Sequence, residues 1–158
     1  MKVLVTGHRG YIGAVMVPVL LQGGHDVAGC DSDLYERCTY EGGGEILEIP
    51  SIRKDVRDIV VSDLSGFDAI IHLAALSNDP LSDLNPEITY DINHRASVRL
   101  AELAKNAGVR RFRQRCQKYL KRRGNHMPGL TFMLRHWRRR VIPTHPHTRC
   151  LVVGQVRR

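Results

Sequence analysis

Three glycines and one acid carry the chemistry that can be read first in this chain. Gly7, Gly10 and Gly13 stand at equal spacing behind a short apolar run, Lys2-Val3-Leu4-Val5-Thr6, and ahead of a longer one, Ala14 to Leu21. Strand, glycine-rich turn, helix is a layout that holds phosphate, because the free N–H groups opening the helix face an anion along a favourable dipole. Gly7 lets the strand turn sharply, which needs backbone angles closed to other residues. Gly10, with no side chain, lets a pyrophosphate approach the backbone. Gly13 lets the new helix sit close against the strand. Tyr11 and Ile12 open that helix and join the expected contacts. Asp31 lies 24 residues beyond Gly7, at the end of a second strand, His25 to Asp31. An acid there accepts hydrogen bonds from adenosine ribose hydroxyls and repels a 2′-phosphate, which favours NAD over NADP. The plainer alternative is a solvated loop acid. Asp33, one turn residue further out, is the poorer candidate.

The elements that must position these groups follow in order. The first helix is expected from Tyr11 to about Gln22, with Pro18 favouring a kink near Ala14. Glu45-Ile46-Leu47-Glu48-Ile49 reads as a short third strand or a short helix, closed by Pro50. Phe67 to Ala75 is apolar on both faces, as a central parallel strand should be. Its carboxyl end, Leu73-Ala74-Ala75, falls where open α/β sheets bind ligands, and the small alanines leave room for a nicotinamide ribose and the pyrophosphate. His72 reads as a packed strand residue. Ser77 and Asn78, in the polar loop that follows, are candidate substrate contacts. Asn85 caps a helix opened by Pro86, apolar residues recur at helical spacing to Ala107, and Gly108 ends it. Val109 to Phe112 begins a fifth strand. The fold expected is α/β: a Rossmann-type, doubly wound parallel sheet of four to five strands with helices on both faces.

The stretch Thr6-Gly7-His8-Arg9-Gly10-Tyr11-Ile12-Gly13 resembles the cofactor loop of extended short-chain dehydrogenases/reductases. That group includes the NAD-dependent epimerases and dehydratases acting on nucleotide sugars. The run from Ala74 through Val109 resembles the sugar-nucleotide epimerases in particular. The resemblance implies that Asp55 takes the adenine amine and that Val56 lines the ring; a helix cap is the other reading of Asp55. It implies that Asn93 supports the sheet and the cofactor region. It also implies a nucleotide-sugar substrate, transient oxidation of a sugar hydroxyl with NAD regenerated in the same cycle, and pairing of two subunits through helices.

The family reaction needs a Tyr-x-x-x-Lys pair and a Ser or Thr on later elements. The Lys lowers the Tyr pKa so that the phenolate takes a hydroxyl proton. This chain offers Tyr119 followed by Arg123, too soon after Phe112 to leave room for the rest of the fifth strand and a new helix, and no later tyrosine. No catalytic residue is therefore assigned, and the expectation is a chain that binds NAD without turnover.

Charge divides the chain at the same place. Residues 1–112 hold 11 Lys+Arg and all 16 Asp+Glu; residues 113–158 hold 13 Lys+Arg and no acid. Such a step marks a boundary between an incomplete NAD-binding domain, 1–112, and a basic tail, 113–158. Arg113-Gln114-Arg115-Cys116-Gln117-Lys118 is too polar to fill a buried parallel strand. A missing fifth strand would leave an exposed, aggregation-prone edge. Three accounts of the tail stand: a shifted reading frame, an anion-binding tail, or an unfamiliar small module. As an anion binder it would hold nucleic acid by counterion release, with Trp137 among arginines available for stacking. Short helices are plausible at Gln114–Arg123 and Leu130–Arg140, and Val141–His147 should be extended. Cys30, Cys38, Cys116 and Cys150 lack metal-ligand spacing, as do His126, His136, His145 and His147, so no metal is expected. The cysteines read as reduced thiols of a cytoplasmic protein. No membrane span and no signal peptide are expected.

Overall fold

The structure is a computed structural model that describes residues 1–36, 47–76, 84–115, 138–139 and 151–155. Five parallel strands form its centre: β1 (Lys2–Thr6), β2 (Asp26–Asp31), β3 (Ser51–Arg53), β4 (Ala69–His72) and β5 (Arg111–Arg115). They lie in the order β3-β2-β1-β4-β5, and two antiparallel strands, β7 (Leu151–Gln155) and then β6 (Arg138–Arg139), extend the sheet beyond β5. Strand order reverses on either side of β1, so the carboxyl ends of β1, β2 and β4 share one edge. That edge is where an open α/β sheet opens a ligand crevice.

Side-chain alternation on β1 explains the two-sided core. Val3 and Val5 face one way, onto Val17 of α1 (Tyr11–Gln22), with Val27 and Ala69. Leu4 faces the other way, into a larger cluster with Ile59, Leu64, Ile70, Leu100, Ala104 and Phe112. Pro18 sits inside α1, and the helix runs through it to Gln22. A short helix, α2 (Val61–Leu64), precedes β4. The helix expected after Asn85 forms in three parts. These are α3 (Pro86–Tyr90), a π-helical turn (Asp91–Arg95) and α4 (Ala96–Asn106). Asn85 Oδ1 accepts from the Ile88 N–H at 3.1 Å, and Gly108 takes φ 75° at the other end. Both caps fall where the residue types place them.

Two strands differ from expectation. The third strand is Ser51–Arg53, not Glu45–Ile49; residues 47–50 are irregular, and 45–46 lie outside the described residues. Pro50 precedes the strand rather than closing it, and its carbonyl accepts from the Gly29 N–H. The fifth strand runs through Phe112 to Arg115, in register with β4 from Ala69↔Arg111 to His72↔Gln114. Its charge does not prevent pairing, because the ladder bonds are backbone bonds. Phe112 is buried, Arg111 is exposed, and Arg113 and Gln114 keep partial exposure. The edge expected to lie open is paired with β7 from Arg111↔Gln155 to Arg115↔Leu151. Gln114 and Arg115 are strand rather than the start of a helix, and Arg138–Arg139 are strand within the second proposed helix. The segment 141–147, Tyr119 and Trp137 lie outside the described residues. Among the described residues no helix is long and apolar enough to cross a membrane.

Candidate functional site

The glycine turn is built by contact with the strand beside it. Gly7 has φ 73°, and a Cβ there would stand 2.6 Å from the Ala74 nitrogen. The end of β1 therefore presses on the backbone leaving β4, and the Leu73 N–H donates to the Thr6 carbonyl at 3.0 Å. A Cβ on Gly13 would stand 2.4 Å from the carbonyl oxygens of Gly7 and His8, so packing alone demands glycine there. Gly10 differs. Its φ is −73°, open to any residue, and an added Cβ would meet only Gly7 O, at 3.3 Å. The fold presses on this position less than on Gly7 or Gly13, although the contact with the Gly7 carbonyl is already a tight one. A ligand drawn close to the backbone would require glycine there. No side chain caps α1 and no acid stands in its first turn, which leaves the amides of Tyr11, Ile12 and Gly13 to an anion. These residues fit a dinucleotide diphosphate. Tyr11 is exposed and Ile12 partly buried.

Asp31 is held in place by two backbone amides. Its Oδ2 accepts from the Arg9 N–H at 3.0 Å, and its Oδ1 from the Asp33 N–H at 3.1 Å. Each oxygen keeps a further lone pair for a hydroxyl. His8 lies over Gly29, where a Cβ would collide with its ring at 2.4 Å, and His8 Nδ1 sits 4.0 Å from Asp31 Oδ2.

Asp55 takes the capping position weighed for it. Oδ1 accepts from the Arg57 N–H at 2.8 Å, starting the 3-10 turn Val56–Asp58, and Oδ2 accepts from Arg57 Nη2 at 2.8 Å. These bonds to Arg57 hold its carboxyl below the usual carboxylate range. Val56 is buried in the core shared by β1, β4 and α4.

At the β4 end a buried polar chain links three elements. Thr6 Oγ1 lies 2.6 Å from His72 Nδ1, His72 Nε2 lies 2.9 Å from Ser97 Oγ, and Ser97 Oγ donates to the Asn93 carbonyl at 2.9 Å. Only one proton arrangement serves all three. Ser97 spends its hydrogen on Asn93, so it accepts from His72 Nε2–H, and His72 Nδ1 accepts from Thr6. Burial pushes the His72 imidazole down to about 4, consistent with this neutral form. The Asn93 side chain then bonds both the N–H and the carbonyl of Leu76, at 2.8 and 2.7 Å. Asn93 thus fixes the loop leaving β4. Leu73 and Ala74 are partly buried and Ala75 is exposed along that loop. Ser77 and Asn78 lie outside the described residues. Sequence reasoning missed the partners Thr6 and Ser97. The available signal was a hydroxyl and an imidazole at the ends of two otherwise apolar strands. No group of residues suited to a metal occurs among the described residues.

Fold and edge together define a Rossmann domain with a glycine-rich turn opening its first helix, an acid at the second strand and a fixed loop after the fourth. The family model described as "NAD dependent epimerase/dehydratase family" matches residues 3–115, and the chain belongs to that family. It is 37% identical over 117 residues to a UDP-glucose 4-epimerase of Mycolicibacterium smegmatis, covering 70% of this chain and 37% of the relative. It is 34% identical over 122 residues to a UDP-glucose 4-epimerase of Klebsiella pneumoniae, covering 71% of this chain and 86% of that sequence. Among solved structures, the UDP-glucose-4-epimerase of Stenotrophomonas maltophila with bound NAD and formylated UDP-arabinopyranose aligns with TM-score 0.66 at 29% identity. That alignment covers 81% of this chain and 40% of the other. The chain therefore spans well under half the length of several relatives it matches.

Proposed function

We propose that this chain binds NAD along the carboxyl edge of β1, β2 and β4 and contributes the cofactor half of a nucleotide-sugar epimerase or dehydratase. Gly10 is the observation that carries the reading: a glycine with an ordinary φ, pressed by the fold less than Gly7 or Gly13, placed at an uncapped helix start. The diphosphate lies on the amides of Tyr11, Ile12 and Gly13. Asp31 takes the adenosine ribose hydroxyls, Asp55 and Val56 border the adenine, and Leu73, Ala74 and Ala75 border the nicotinamide ribose. Ser77 and Asn78 are the proposed substrate contacts.

When bound, NAD would supply the hydride acceptor, and in reduced form the hydride donor, for a sugar carbon. This chain's own part is to bind and orient. Asn93 and the chain Thr6–His72–Ser97 hold the loop beside the nicotinamide, and Asp31 fixes the adenosine end. The tyrosines among the described residues, Tyr11, Tyr35 and Tyr90, have no lysine four residues on, so no proton-accepting tyrosine–lysine pair is assigned. The reading is binding without turnover. Cys30 is a buried thiol outside any disulfide, which suits a reducing cytoplasm.

Calorimetric titration of the full chain with NAD tests the proposal. NAD should bind. Gly10→Ala should keep the wild-type melting temperature within a few degrees yet lose at least about tenfold in affinity, the equivalent of about 1.4 kcal/mol. A folded wild type that takes up no NAD would end this reading. Conversion of a UDP-sugar by the same chain would overturn the absence of turnover.

A further inference from the structure

Asp33 does something the diphosphate reading leaves unused. Its backbone has φ 56°, the left-handed region that non-glycine residues seldom enter. Its side chain is only 7% exposed. Oδ2 lies 3.2 Å from Arg9 Nη1 and 3.6 Å from Arg53 Nε, while Oδ1 is buried with no hydrogen-bond partner. An unusual backbone and an orphaned acceptor are both costs that an ordinary surface turn avoids. The ion pairs return little stability, since the guanidinium side chains are 45% and 64% exposed.

The arrangement makes sense as control of charge. Arg9 comes from the glycine turn and Arg53 from the last residue of β3, and both flank Asp31. The Arg9 N–H donates to Asp31, and Arg53 is the register partner of Asp31. Two guanidiniums beside a ribose acid are the groups that would receive a phosphate on the 2′ position. Asp33 engages both, and Glu36 Oε2 takes Arg53 Nη2 at 2.8 Å. With Asp31, Asp33 and Glu36 against Arg9 and Arg53, the cluster carries one net negative charge. Removing the Asp33 charge brings it to neutral, frees Arg9, and leaves Arg53 held by Glu36 alone.

We infer that Asp33 is a specificity-determining residue for the cofactor. It withholds Arg9 and Arg53 from a 2′-phosphate, so that discrimination against NADP rests on Asp33 together with Asp31. This inference rests on the proposed NAD site.

Fluorescence titration of the full chain with NADH and NADPH at low salt tests it. Asn tolerates left-handed angles and keeps the shape of Asp, so Asp33→Asn should fold. It should tighten NADPH relative to NADH by about tenfold. Adding Arg9→Ala and Arg53→Ala to that variant should erase the gain. Should Asp33→Asn unfold, Asp33→Gly, equally at ease at φ 56°, should show the same shift. An unchanged NADPH-to-NADH ratio in a folded variant, or equal loss of both ligands, overturns the inference and leaves the NAD site standing. A folded wild type that binds neither ligand overturns the site itself, and the inference with it.

Discussion

At the β2 end of the sheet's carboxyl edge stand Asp31, Asp33, Glu36, Arg9 and Arg53, charged groups whose guanidiniums reach into water. At the β4 end stand Thr6, His72, Ser97 and Asn93, neutral groups joined through a buried imidazole. The exposed guanidiniums can be rearranged at low cost, because solvent screens them and each pair contributes little. Buried neutral groups cannot. Every donor must meet its acceptor, and one unmet group costs more than an exposed ion pair returns. The difference suits the chemistry proposed at each end. Adenosine is a handle that needs selection, whereas a reacting ring needs fixed geometry.

The largest effect should come from His72. Replacing it with Leu strands the Thr6 hydroxyl and deprives Ser97 of its donor, and should cost about 2–4 kcal/mol in urea unfolding. The same residue should make stability depend on acid. Its folded pKa of about 4 lies below the free value of 6.5, so its contribution is complete above about pH 6.5. That contribution falls away as pH drops from 6.5 through 4, by about 3 kcal/mol. In His72→Leu this part of the pH dependence should be missing. An unaltered profile would mean that the imidazole is not what titrates. Next in size, Asn93→Ala removes both bonds to Leu76 and should cost about 1–2 kcal/mol, with faster hydrogen exchange at the Leu76 amide. Smallest, Arg53→Ala should change stability by less than about 1 kcal/mol, and the change should shrink in molar salt. A salt-independent loss as large as that of Asn93→Ala would dissolve the contrast between the two ends.

The glycine turn was legible because its demands are local. Gly7 takes a positive φ, Gly13 lies against two carbonyls, and each restriction follows from a strand turning directly into a helix. The caps at Asn85 and Gly108 were legible for the same reason. The third strand was not. Glu45–Ile49 has the stronger apolar pattern, yet Ser51-Ile52-Arg53 pairs with β2, and its single apolar residue gives no period to read. The fifth strand was mistaken at Phe112, since side-chain charge was weighed and backbone pairing with β4 and β7 decided. Asp33 was ranked below Asp31 because spacing reports distance along the chain, whereas its two arginines arrive from separate elements. Thr6 and Ser97 were passed over because each is ordinary alone, and only the imidazole between them gives them a task.

The π-helical turn carries a consequence for chain length. Across Asp91–Arg95 the Ala96 N–H reaches back five residues to the Asp91 carbonyl, so the winding holds one residue more than a regular turn would. One residue corresponds to about 100° of rotation about a helix axis. That surplus sets the phase between Asn93, which grips the loop, and the stripe Leu100, Ala101 and Ala104, which meets the sheet. Excising a single amino acid here would swing the stripe away from the strands while leaving composition almost untouched, so this segment should tolerate substitution far better than any change in its count.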